Sequence, residues 1–322
     1  MSFHPETEDY KYWTSEEDLR LKELVESGKF DFRNIGERMK RTASSCQSHS
    51  SILGFHNPYI KRTYHHNKKF FNEPNLLNCY WAGFIAADGS VRWNGKCASI
   101  RIEICDIDHL KQLKDDVEFN GKIIIKTRES RSVPTGTMSV NCKCWADDLK
   151  NNFNVIEKKT KRLIPPNLNN NLLHLSFLLG YIDGDGCIFL SNAKNDGKMN
   201  FSISIVSCSA IILESFRLLV DKYFGEYKLR RKISVIKRHS GSPNASVFFC
   251  GGMQALMIFD FLRAFPVPKL DRKWNNPRIL EYLEEKKAEY PGFFNLTPEL
   301  QTIKDQLLTY TQSVVPITNN IQ

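Results

Sequence analysis

The sequence predicts an α+β protein with two similar halves, each of the order αββαββα, behind an N-terminal unit of three short helices. Three observations carry this expectation. An apolar helical stretch ending in Asp-Gly occurs twice, at Asp88-Gly89 and Asp185-Gly186, 97 residues apart. Each is followed by segments that alternate apolar and polar residues, the period of a half-buried strand. A repeat of that length is too long for a solenoid unit and suits two related subdomains.

The first 55 residues read as three helices. Thr14-Ser15-Glu16-Glu17 forms a capping-box start. Leu19, Leu21, Leu24 and Val25 then recur at helical spacing, and Gly28 punctuates the end. Phe32, Ile35 and Met39 give a second apolar face, and Arg41-Thr42-Ala43-Ser44 turns the chain into a third helix over about 44–53. Residues 56–74 are basic and aromatic, bracketed by Pro58 and Pro74, and read as a linker that can lie along DNA phosphates.

The first half, residues 75–164, opens on a helix over 76–87. A strand over 98–104 puts Ala98, Ile100, Ile102 and Ile104 on one face and Ser99, Arg101 and Glu103 on the other. A helix over 106–118 follows. Next come a strand over 122–128, with Lys122, Ile124, Lys126 and Arg128 on one face, a strand over 137–144, and a helix over 145–153. Pro165-Pro166 marks the join to the second half, residues 165–290. There the same order runs through a helix over 172–184, strands over 187–191 and 199–207, a helix over 209–224, strands over 226–237 and 245–250, and a helix over 252–263. A charged helical stretch follows over 269–285. Residues 291–322 read as a tail with one helix at 297–311.

Composition narrows the function classes. A chain of 322 residues has room for two or three compact units, and 41% hydrophobic with 25% charged residues is ordinary for a globular protein. Lys and Arg total 45 against 36 Asp and Glu, a net charge of +9 that suits a polyanion such as nucleic acid. The nine cysteines are dispersed, without CxxC pairs or zinc-finger spacing, and read as reduced thiols in an intracellular protein. No signal-peptide core or membrane-length apolar run is present, nor any Walker loop or GxSxG elbow.

The chemistry points to the two repeat starts. The first reads Trp81-Ala82-Gly83-Phe84-Ile85-Ala86-Ala87-Asp88-Gly89, the second Leu178-Leu179-Gly180-Tyr181-Ile182-Asp183-Gly184-Asp185-Gly186. Gly83 and Gly180 let two helix backbones approach closely. If the helices pack in parallel, their C-terminal ends meet and Asp88 and Asp185 sit side by side. Two carboxylates at negative helix ends repel unless a cation joins them, and hard oxygen donors suit Mg²⁺, with Mn²⁺ as a substitute. The carbonyls of Ala87 and Gly184 are further candidate ligands. Such a site could activate water and support phosphodiester cleavage.

The two nonamers resemble the LAGLIDADG motif, and their spacing is similar to that of single-chain, pseudo-symmetric homing endonucleases, over about residues 75–285. The resemblance implies saddle-shaped antiparallel sheets that straddle DNA and cleavage that leaves short 3′ overhangs. It also implies catalytic acids at the second carboxylate of each motif, Asp88 and Asp185. The first carboxylate position is Asp183 in one motif and Ala86 in the other, and the resemblance implies that this position is mainly structural. A lysine near each active centre is also implied. The segments Val155–Thr160 and Leu270–Lys273 place it at Lys159 and Lys273, where it would stabilise developing charge.

Strand faces in a major groove need long donors and acceptors. In the first half Arg92, Arg101, Lys122, Lys126, Arg128 and Lys143 are the candidates. In the second half they are Lys228, Arg230 and Lys232, with Asn200, Ser202 and Ser204. The N-terminal unit, with Trp13, the Glu16-Glu17-Asp18 run, Phe32 and Arg41-Thr42, resembles one Myb/SANT-type repeat. Its third helix would offer Ser44, Ser45, Gln47, Ser48, His49 and Ser51 to DNA, or serve protein contact instead. Together these residues lead to a site-specific, metal-dependent double-stranded DNA endonuclease of homing type, acting as a monomer on a long target with no membrane role. The alternative is a catalytically silent maturase or a DNA- or RNA-binding regulator that keeps the fold.

Overall fold

The computed structural model describes residues 12–55, 57, 64–127, 133–192, 199–224, 232–236 and 245–314. Two compact units divide the chain between His65 and His66. The first comprises α1 (Ser15–Glu26), α2 (Phe32–Met39) and α3 (Ala43–Ile52). The predicted capping box is present: Glu17 N–H donates to Thr14 Oγ1, and Thr14 N–H donates to Glu17 Oε2. Asp31 and Thr42 cap the other two helices. Leu21, Val25, Ile35, Met39 and Cys46 form the core, with Trp13, Leu24 and Phe32 against it. Leu19 does not join them and is exposed. Two residues rotate about 200° round a helix, so Leu19 and Leu21 cannot share a face.

The second unit contains both halves. The first half is α4 (Leu76–Asp88), β1 (Gly89–Asn94), β2 (Cys97–Ile104), α5 (Ile107–Asp116), β3 (Ile124–Lys126), β4 (Thr135–Asn141) and α6 (Lys143–Phe153). The second is α7 (Asn171–Asp185), β5 (Gly186–Asn192), β6 (Met199–Ser207), α8 (Ala210–Phe224), β7 (Lys232–Ile236), β8 (Ala245–Gly251) and α9 (Gly252–Arg263). Each half builds one antiparallel four-stranded sheet, ordered β1-β2-β4-β3 and β5-β6-β8-β7. The registers match as well, because Gly89 pairs with Ile102 as Gly186 pairs with Ile205. Ala98, Ile100, Ile102 and Ile104 are buried, and Ser99, Arg101 and Glu103 face the other way, as the alternation requires.

Several expectations need correction. The strand expected over 122–128 is only three residues long, so Lys122 stands outside it. The chain between Cys142 and Cys144 does not continue β4, because the Cys142 thiol caps α6 by accepting from Trp145 N–H at 3.5 Å. Lys143 therefore starts a helix and pairs with Asp147 at 3.4 Å. The stretch expected as a linker folds onto the first half in its latter part. Phe71 is fully buried, and Trp145 Nε1 donates to Asn67 O at 2.7 Å. The tail is likewise part of the core. After α10 (Asp271–Trp274) and α11 (Pro277–Glu289), α12 (Pro298–Val314) buries Leu300, Ile303 and Leu307 in the main cluster. Their i, i+3, i+7 spacing is one apolar stripe, which has to be covered.

Candidate functional site

Helices α4 and α7 form the centre of the second unit. Both are apolar all round, as helices buried on every side must be. They pack in parallel: Ser176 Oγ donates to Leu76 O at 2.6 Å near their starts, and Gly184 lies against Ala87 near their ends. A side chain on Gly83 would collide with the carbonyl of Phe177, and one on Gly180 with the carbonyl of Tyr80. These are counterpart contacts, since Phe177 stands 97 residues after Tyr80 as Gly180 does after Gly83. The two glycines therefore set the helix separation, and the pairing brings Asp88 and Asp185 together at the shared C-terminal end.

Both aspartates open to solvent at the mouth of this end, with the body of the protein behind them. That partial burial, and then the Asp185 charge, push the Asp88 carboxyl up to about 6, against the opposing pull of Lys273 and Lys159. Asp185 is also raised by burial, and Lys159, the nearby Tyr181 hydroxyl and Lys273 hold it down. Neither lysine is a solvated surface group. Lys159 lies in the 3-10 turn Lys159–Lys161, and its ammonium donates to the carbonyls of Ala86 and Ala87, the latter at 2.7 Å. Lys273 is 5% exposed and donates to the carbonyls of Ile182, Asp183 and Gly186, each at 2.7 Å. Each cation thus sits on the negative end of one motif helix. Burial lowers the pKa of both. The Ala87 carbonyl already holds an ammonium proton, so it can reach a metal only through its second lone pair.

The first carboxylate position is structural. Asp183 is 1% exposed and accepts from Tyr80 Oη and Trp274 Nε1, both at 2.6 Å, and from Leu270 N–H at 3.1 Å. His109 Nε2 lies 2.8 Å from Tyr80 Oη. The phenol proton is committed to Asp183, so the neutral imidazole donates to the phenol oxygen. Burial drives the His109 pKa down to about 4. In the other half this network is absent as a set: Ala86 replaces Asp183 and Phe177 replaces Tyr80, both buried. An unpartnered hydroxyl would be costly beside Ala86, and Phe177 removes it. Sequence reasoning left Tyr80, His109 and Trp274 without a role. Comparing the nonamers and their flanks position by position would have shown the exchange.

The exposed face of the first sheet carries Arg92 opposite Ser99, which in turn faces Asn141, and Arg101 opposite Ser90 and Ser139. Lys126 stands opposite Thr135. Arg101 also pairs with Glu103 at 2.6 Å. In the second sheet Lys232 is opposite Phe249 in the register, and Arg128, Lys228 and Arg230 lie outside the described residues. Asn200 is exposed and Ser204 half-buried, whereas Ser202 is buried and cannot read a base from its present position. The exposed face there also shows Phe189 and Phe249, which the charge pattern gave no reason to single out. On α3, Ser44, Gln47, Ser48 and Ser51 are exposed. His49 is engaged internally, stacked on Trp13 and 2.6 Å from Asp18.

Residues 173–259 match the model of the LAGLIDADG-like domain, and residues 11–49 match that of the Myb-like DNA-binding domain. The chain carries a LAGLIDADG-like domain behind a Myb-like one. The match falls on the second half, and the identical strand order and register extend the architecture to the first. No curated protein matches the chain. Among solved structures it is similar to the I-LtrWI LAGLIDADG homing endonuclease bound to target DNA, at 16% identity and a TM-score of 0.43, over 79% of this chain and 100% of that one. It is also similar to the LAGLIDADG homing endonuclease I-GzeII in complex with its DNA target, at 13% identity and 0.43, over 76% of this chain and 100% of the other. A third is the N-terminal LAGLIDADG domain of DUF199/WhiA, at 15% identity and 0.39, over 66% and 93%.

Proposed function

We propose that the protein is a site-specific double-stranded DNA endonuclease of homing type that depends on a divalent metal. The observation that carries this reading is the meeting of Asp88 and Asp185 at one doubled helix end, with Lys159 and Lys273 seated on the helix carbonyls beside them. The donor set fits a hard cation. Burial and then the Asp185 charge raise the proton affinity of Asp88, and a divalent ion held by the pair would relieve that repulsion. Two carboxylates with helix-end carbonyls as the only further donors would leave several positions to water, which suits Mg²⁺, with Mn²⁺ able to substitute. When bound, the ion would supply Lewis-acid polarisation of the phosphate and ease deprotonation of a water.

The chain's own residues do the rest. Asp88 and Asp185 hold the ion and orient water, one centre for each strand, and cleavage leaves short 3′ overhangs. Lys159 and Lys273 present charge where the phosphate gains it. Arg92, Arg101 and Lys126, on the open sheet face, contact the duplex. The Myb-like unit lengthens the footprint, and one chain suffices for one long target. The test is cleavage of a randomised duplex library by the purified protein, with Mg²⁺ and with EDTA, beside an Asp88→Asn/Asp185→Asn variant. Metal-dependent cuts that vanish in the variant, while gel-shift binding persists, support the proposal. Binding without cutting under several metals refutes it in favour of a silent nucleic-acid binder.

A further inference from the structure

The two sheets share one register, so each position on one open face has a counterpart on the other. Gly89 pairs with Ile102 as Gly186 pairs with Ile205, which sets Phe189 at the place of Arg92. Ser99 pairs with Asn141 as Ser202 pairs with Gly251, and Arg101 pairs with Ser139 as Ser204 pairs with Phe249. Where the first sheet has Arg92, Ser139 and Asn141, the second therefore has Phe189, Phe249 and Gly251. Both rings are open to solvent, Phe189 at 40% exposure and Phe249 at 46%. The glycine makes room for one of them, since a Cβ on Gly251 would stand 3.1 Å from Cε1 of Phe249. Between Phe189 and Gly251 in the register lies Ser202, which is 4% exposed, and its hydroxyl has no hydrogen-bond partner among the described residues. The polar group at the centre of this patch is thus covered, while the two phenyl rings stay at the surface.

We propose that the second sheet reads thymine methyl groups through Phe189 and Phe249, whereas the first reads guanine through Arg92, so that the target differs in its two halves. The inference rests on the part of the reading above that lays the open sheet faces on a duplex. The occupant is a duplex because the patch holds the same register positions as the basic face of the first sheet. In the major groove the C5 methyl of thymine is the apolar group that a base pair presents, and the other edge groups are hydrogen-bond donors and acceptors. A phenyl ring set against those groups would take them out of water without a partner, at a cost in free energy. Ring against methyl instead removes apolar surface on both sides. A guanidinium at the matching position has the opposite preference, with two donors for the O6 and N7 acceptors of guanine.

The experiment reads binding in EDTA, so that no cut enters it. The full chain selects duplexes from a randomised library, and each thymine of the selected site is then replaced by deoxyuridine, which lacks only the methyl. Wild type should lose about fourfold in affinity at one or more thymines of one half-site, the factor for one buried methyl. Phe189→Ala and Phe249→Ala should bind the thymine site more weakly and lose the preference for thymine over deoxyuridine, each at its own position. Selection in the other half-site should stay as in wild type. Phe189→Arg, which copies Arg92, should move selection at its position toward guanine. Both phenylalanines are at the surface, so circular dichroism should show these variants folded. Deoxyuridine tolerated throughout the site, or variants that keep the full thymine preference, would overturn the inference. Cleavage of the same site with Mg²⁺ is scored separately. Cutting without a thymine preference removes only the inference, and a thymine preference without cutting removes only the endonuclease reading. A protein that binds no duplex removes both.

Discussion

Replacing Gly83 by Ala tests the helix contact on which the site depends, because two effects of opposite sign compete. In an isolated helix the change should stabilise by about 1 kcal/mol, since Ala is the better helix former. Here the new methyl would sit inside the van der Waals surface of the Phe177 carbonyl and within 3.1 Å of Tyr181 N. Backbone atoms of a packed helix cannot yield as a side-chain tip can, so α4 and α7 must move apart. Overpacking of this kind costs about 1–3 kcal/mol, and more where backbone is the obstacle. The net expectation is a loss of about 1–2 kcal/mol, or roughly 2–8 °C in Tm for a unit of this size. Thermal denaturation followed by circular dichroism measures it. Gly180→Ala should cost a similar amount through the Tyr80 carbonyl, and the double variant less than the sum, because one separation accommodates both methyls. Gly292→Ala is the control, since its Cβ would meet open space. A Gly83→Ala protein that melts at or above the wild-type temperature would show that the helices are not in contact there.

Other perturbations probe the buried network and the tail. Asp183→Asn would turn an amide NH₂ toward the Tyr80, Trp274 and Leu270 donors, and the expected loss in chemical denaturation is about 2–4 kcal/mol; an unchanged midpoint would contradict the structural role. His109 is neutral in the fold with a pKa of about 4, below the free value near 6.5, so the unfolded state takes up its proton first and stability is lost as pH falls from about 6.5 to 4. His109→Gln should flatten that fall by about 2–3 kcal/mol, and stability–pH curves that run parallel for the two proteins would exclude it. Leu300→Ala should cost about 2–5 kcal/mol by opening a cavity in the main core, whereas a tail packed on nothing would tolerate it within 0.5 kcal/mol.

Local pattern determined much of this protein from the sequence alone. Two apolar helices with a mid-helix glycine and a terminal aspartate, each followed by alternating strands, are legible because helical and strand periods are written in neighbouring residues. The Thr14 box and the burial of alternate residues in β2 belong to the same class. Lys159 and Lys273 were identified by resemblance, and the fold supplied their carbonyl partners. What tertiary structure decided joins residues far apart in the chain. Tyr80 reaches Asp183, Asn67 reaches Trp145, and α12 closes over a core that begins near Phe71. Lys143 moved from strand to helix because a cysteine cap competed with alternation, and residues 66–74 looked like a linker because their partners lie some 80 positions on. Periodicity records which face of an element is apolar; it carries no information about which distant group will satisfy a buried polar atom. That choice distinguishes Asp183 from Ala86.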